Sequence, residues 1–153
     1  MSSYQLPIWV WPVALMIVCV LAVWRGRDEE RLASAGLLAA WAISMVAFRA
    51  ESEDTQWSIF LIDSCLFGLY LFIAMRSRRY WPLFLAGFGL LIVVTHFAHA
   101  LDAGISGWAY WTAARIWNYL CLFMIGYGAW TAPRRYAEIE AADPNDVPGA
   151  TRR

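Results

Sequence analysis

Residues 76–102 read "RSRRYWPLFLAGFGLLIVVTHFAHALD". Three arginines in four positions give way to an uncharged run from Trp81 to Leu101. At about 1.5 Å per residue, such a run is as long as an α-helix needs to be to cross roughly 30 Å of hydrocarbon. Lipid offers no partners to unpaired peptide groups, so an open-chain segment placed there must be helical. His96 and His99, the only two histidines of the chain, lie one turn apart near the far end, and Asp102 follows them.

The same pattern recurs outward in both directions. Leu6–Trp24, Leu32–Phe48, Trp57–Met75 and Trp108–Trp130 are apolar runs separated by charged or polar connections, and together with Trp81–Leu101 they predict five spans. Composition agrees: 61% of the 153 residues are hydrophobic and only 16% charged, too greasy for a soluble domain of this size. The expected fold is therefore all-α, a polytopic transmembrane bundle over residues 1–132. Residues 133–153 read as a cytoplasmic tail, with a short helix near Arg134–Ala142 and a disordered remainder rich in Pro, Gly and acid. The first run lacks a basic leader, and "VLAVWRGR" is a poor cleavage site, so it reads as a retained span.

Arginine placement sets the expected orientation. All twelve basic residues are arginine, a usage that suggests a GC-rich bacterial genome. With five spans, the loop at Arg25, Arg27 and Arg31, the loop at Arg76, Arg78 and Arg79, and the tail at Arg134, Arg135, Arg152 and Arg153 share one side. The opposite loops hold only Arg49, beside Glu51, Glu53 and Asp54. By the positive-inside rule the N-terminus lies outside and the C-terminus in the cytoplasm. Trp9, Trp11, Trp57, Trp108 and Trp111 would mark the outer interface, and Trp24, Tyr80, Trp81 and Trp130 the inner one.

Polar residues inside the runs converge on one layer. Counted from the outer boundary at about 1.5 Å per residue, Asp63 and Arg115 lie roughly 9–10 Å deep, with Asn118 a turn deeper and His99 and His96 roughly 4–9 Å down. Intramembrane ionisable groups are costly and need partners. The economical account pairs Asp63 with Arg115 and lets His96 and Asn118 hydrogen-bond across spans four and five. The competing account makes Asp63, His96, His99, Arg115 and Asn118 a pocket for a headgroup, quinone, proton or metal.

Specific chemistries narrow the field. His96 and His99 could share a metal with Asp63 or Asp102 completing the set, although HxxH alone is a weak pattern. They cannot clamp one haem from both faces, because both project from one wall. No GxSxG, Walker loop or GxGxxG occurs, and Cys19, Cys65 and Cys121 fall in three different runs without a CxxC. Zero net charge gives nucleic-acid binding no support. Gly36 with Ala40, and Ala86 with Gly89, offer small-residue surfaces for packing within the chain or against a partner.

The stretches "RSRRYWPLFLAGF", "THFAHALD" and "AYWTAARIWNYL", within residues 76–120, resemble small multi-span membrane proteins of alphaproteobacteria. The resemblance implies a bacterial inner-membrane address and brings no activity, cofactor or substrate. Two functions are then expected to compete. One is a non-catalytic accessory or assembly subunit of a larger inner-membrane complex of respiratory or photosynthetic type, in contact with other subunits or with its own copies. The other is a small binding or transport protein that uses the outer polar layer.

Overall fold

A computed structural model describes Pro7 and residues 9–50, 57–101 and 107–132. Within them the chain is all-α, in five helices: α1 (Val10–Arg25), α2 (Asp28–Ala50), α3 (Trp57–Arg76), α4 (Trp81–Leu101) and α5 (Gly107–Trp130). The tail expected over 133–153 lies outside the described residues, as does Asp102.

Local chemistry sets the boundaries. Pro7, Pro12 and Pro82 stand before or within a first turn, where a missing N–H costs no helical bond. Gly26 ends α1, its N–H bonding Ala22 O at 2.9 Å. The acidic triplet Asp28, Glu29 and Glu30, expected in the loop, forms the first turn of α2 instead. Carboxylates there face the positive end of the helix dipole. Glu30 also reaches back to accept the Arg27 N–H at 2.8 Å, the carboxylate half of a capping box. α2 thus starts four residues earlier than hydropathy predicts.

The helices close into a ring. Each packs on its chain neighbour, and α1 shuts the circle between α2 and α5. Joined neighbours run antiparallel, whereas α1 and α5 run parallel, with Arg25 and Trp130 meeting at their C-terminal ends. The interior is filled by side chains such as Leu15, Leu37, Tyr70, Leu85, Cys121 and Ile125. Close approach uses small residues. Gly36 receives Leu69 and Leu66 of α3, and Gly89 receives Tyr70 and Phe67, so both small-residue surfaces serve packing within the chain. A Cβ on Gly128 would stand 2.8 Å from the Trp81 indole, which lies flat on that glycine. Trp81 is accordingly buried in the core and is no interfacial anchor, while Trp24, Tyr80 and Trp130 are exposed.

The perimeter is apolar. Thirty large hydrophobic side chains are exposed among the described residues, against nineteen hydrophobic residues buried. Two of the helices, α3 and α4, are long and apolar enough to cross a membrane. α1 is as apolar but shorter, and α2 and α5, at 23 and 24 residues, carry more polar side chains.

One polar node ties the arginine-rich end together. The Glu30 side chain is fully buried and ion-paired with Arg79 of the α3–α4 connection. Arg79 Nη2 also donates to Gly128 O at 3.0 Å and Thr131 Oγ1 at 2.8 Å, at the end of α5. Ser77 Oγ donates to Glu29 at 2.8 Å and accepts the Arg79 N–H at 3.1 Å. Arg31 Nη2 bonds Val23 O at 3.0 Å, adding the end of α1. Removing one partner of a buried pair strands the other, so Arg79→Ala should destabilise the folded bundle by about 3 kcal/mol. The double variant Glu30→Leu/Arg79→Leu should recover part of that loss. Thermal melting of the purified variants in one detergent checks both.

Candidate functional site

The candidate site lies at the opposite end, where α3, α4 and α5 meet. Asp63 projects from the second turn of α3, His96 from the last two turns of α4, and Tyr110 from the first turn of α5. His96 Nε2 lies 2.8 Å from Asp63 Oδ2, and His96 Nδ1 lies 2.7 Å from the Tyr110 hydroxyl. A carboxylate accepts, so Nε2 donates to Asp63, and the Tyr110 hydroxyl bonds the other ring nitrogen, Nδ1. One imidazole therefore bridges three helices in a chain, Tyr110 to His96 to Asp63. The His96 side chain is 8% exposed and that of Asp63 16%, so both bonds are largely shielded from solvent and correspondingly strong.

Aromatic rings wall the chain. Phe60 meets the His96 ring edge-on at 6.2 Å, and Tyr110 is flanked by Trp111 at 5.2 Å. His99 stacks on Tyr110 with ring centroids 4.5 Å apart and planes 20° from parallel. Its Nδ1 is buried with no hydrogen-bond partner among the described residues. The two histidines thus differ in kind: one is committed at both nitrogens, and the other holds a nitrogen in reserve beside the tyrosine.

Three expectations are corrected. Asp63 pairs with His96 and not with Arg115, which is exposed and has no hydrogen bond or ion pair among the described residues. Asn118 Nδ2 donates to Ala114 O, 2.9 Å away on its own helix, and among the described residues no hydrogen bond joins Asn118 to α4. The expected five-residue layer therefore does not form one pocket. The cause is angular. At 100° per residue, Arg115 stands about 140° around α5 from Tyr110, so it cannot face α3 when Tyr110 faces α4. Depth estimates carry no such information.

Tyr110 is the residue the sequence reading missed. It begins a buried stripe that continues through Ala114, Cys121 and Ile125 at helical spacing, and that periodicity marks the inward face of α5. Among the described residues, no three His, Cys, Asp or Glu side chains gather as a metal site. Both His96 nitrogens are already engaged, and Asp102 lies outside the description. The cysteines stay separate, with Cys121 buried and Cys19 Sγ 3.9 Å from Ser34 O.

No family model, curated protein or solved structure matches the chain.

Because His96 mediates both bonds, losses at its two partners should not add. Tyr110→Phe should cost about 1 kcal/mol and Asp63→Leu about 1–3 kcal/mol, by losing a hydrogen bond and by leaving His96 unsatisfied respectively. The double variant should fall short of the sum by at least about 0.5 kcal/mol. Arg115→Leu should leave melting unchanged, whereas a strut with Asp63 would require a loss. A double-mutant cycle on melting in detergent measures all four.

Proposed function

We propose that the chain is a five-span protein of a bacterial inner membrane, N-terminus outside and C-terminus in the cytoplasm, acting as a non-catalytic accessory or assembly subunit of a larger membrane complex. The apolar perimeter supports the membrane setting, since thirty exposed large hydrophobic side chains would be a severe burden in water and cost nothing against lipid. At 23 and 24 residues, α2 and α5 have the length for a crossing, and their polar side chains find use inside the ring. The Glu30–Arg79 node then sits at the cytoplasmic face among the excess arginines, and the Asp63–His96–Tyr110 chain near the outer face.

Arg115 carries the subunit reading. A guanidinium about two turns into a spanning helix is paired in nearly every known case. This one is directed away from the bundle, with no partner among the described residues. A carboxylate or carbonyl on a neighbouring subunit would satisfy it, flanked by Trp108 and Trp111, both exposed on the same side of α5. The inner polar groups, by contrast, are mostly satisfied by one another, which suits a scaffold better than a reaction centre.

A second reading has one observation in its favour. The free Nδ1 of His99, stacked on Tyr110, could accept a hydrogen bond from a small ligand or take up a proton passed along the Tyr110–His96–Asp63 chain. That would make the outer end a binding or transport element.

Native mass spectrometry after mild extraction from the original membrane separates the two. Wild-type protein should carry additional polypeptides, and Arg115→Leu should lose them while keeping its melting temperature. A homo-oligomer that carries a small molecule, lost in His99→Ala and retained in Arg115→Leu, would overturn the subunit reading in favour of the second.

A further inference from the structure

On the side of the bundle away from Asp63 lies a groove of about 460 Å³ along α5 and Val18 of α1, with an almost wholly apolar lining that includes Tyr119, Phe123, Gly126 and Trp130. That volume falls within the range of about 300–1,000 Å³ found for small-molecule sites. Its length is telling. From Tyr119 to Trp130 the helix rises roughly 16 Å, about half of a 30 Å hydrocarbon core. The groove thus spans the depth of a single leaflet. Beyond its Tyr119 end stands Trp11, whose ring meets Tyr119 edge-on at 5.0 Å. At the other end it opens beside Trp130, and there the Arg25 guanidinium lies over the indole, 4.5 Å from its centroid.

Arg25 is the charged element of the site. It has no carboxylate partner among the described residues, although Glu29 and Glu30 are close in sequence; those carboxylates are taken by Ser77 and by Arg79 and the Arg27 N–H. Its cation thus has no carboxylate among the described residues at the level where α1 and α5 end. Gly126 keeps the wall of the groove low: a Cβ there would meet only Val18, at 3.6 Å.

We infer that this groove binds an anionic phospholipid of the cytoplasmic leaflet, its phosphate on Arg25 and one acyl chain lying between α1 and α5 as far as the Trp11–Tyr119 contact. The inference rests on the five-span reading, which puts Arg25 and Trp130 at the cytoplasmic interface. Charge and shape select this occupant together. A partner's transmembrane helix would bring no phosphate to Arg25. A zwitterionic lipid would fill the slot as well but would gain less from an unpaired cation.

The test uses the full-length protein, delipidated in detergent and titrated with phosphatidylglycerol or with phosphatidylcholine of the same acyl chains. Bound lipid is counted by native mass spectrometry, and folding is followed by thermal melting. The wild type should prefer phosphatidylglycerol by about fivefold, the effect of one basic residue near an anionic headgroup. Arg25→Gln should abolish the preference, and Arg25→Lys should retain most of it. Gly126→Leu, which fills the slot and leaves the charge, should weaken both lipids about equally. An unchanged preference in folded Arg25→Gln, or unchanged binding in folded Gly126→Leu, would overturn the inference. A chain released from membranes by alkaline carbonate would overturn the five-span reading itself. A chain that stays in the pellet but shows no lipid preference would overturn only the lipid site.

Discussion

The buried carboxylate of Glu30 is the constraint around which the bundle is organised. A charge withdrawn from solvent must be met by an opposite charge and by hydrogen bonds, or the fold cannot afford it. Here Arg79 meets it, and the remaining donors of Arg79 are spent on Gly128 O and Thr131 at the end of α5. The requirement of one buried group thereby fixes the start of α2, the α3–α4 connection and the end of α5 in one arrangement. Trp81, the first residue after that connection in α4, is pressed flat on Gly128 as a result. Polar demand sets the register at this end of the helices, and apolar packing follows it.

The other end repeats the device with different chemistry. His96 bonds Asp63 through one nitrogen and Tyr110 through the other, so a single imidazole joins α3, α4 and α5. Between the two polar ends the contacts are van der Waals packing of Leu, Ile and aromatic side chains into small-residue notches such as Gly36 and Gly89. In the proposed membrane setting, the helices would gain little from a hydrophobic driving force between them. Hydrogen-bonded nodes at both ends, with close packing in the middle, are then the natural way to hold five of them together. α1 is the exception. It joins neither node through an ionisable side chain of its own, being held by Arg31 on Val23 O and by the Arg25–Trp130 contact, and the apolar groove lies along its seam with α5.

Several groups stand outside this economy, among them the buried Tyr70 hydroxyl and Trp81 Nε1, which have no hydrogen-bond partner among the described residues. Arg115 faces away from the ring, and His99 keeps an unpaired buried nitrogen beside Tyr110. Groups left unsatisfied by their own fold are where a second molecule would bind, and the proposals for this protein rest on that principle.

Hydropathy determined a great deal from the sequence alone. The number of helices, their order and all-α character, and their ends to within a few residues follow from apolar runs cut by arginines, because the cost of leaving a peptide group unpaired in an apolar setting depends on composition rather than on neighbours. Depth was legible too: Asp63 and His96 do share a layer. What the one-dimensional pattern could not supply was which side chains face each other around each helix axis. That angle separates Arg115 from Asp63, delivers Tyr110 to His96, and turns Trp81 from an interfacial residue into core. The α5 stripe of Tyr110, Ala114 and Cys121 held part of the answer, but only when read as a face. Glu30 was beyond reach of the sequence, since an acid in a loop-like run is ordinarily solvated, and its burial depends on Arg79, forty-nine residues away. Such pairings belong to the tertiary structure, because partners distant in sequence meet only after the helices have packed.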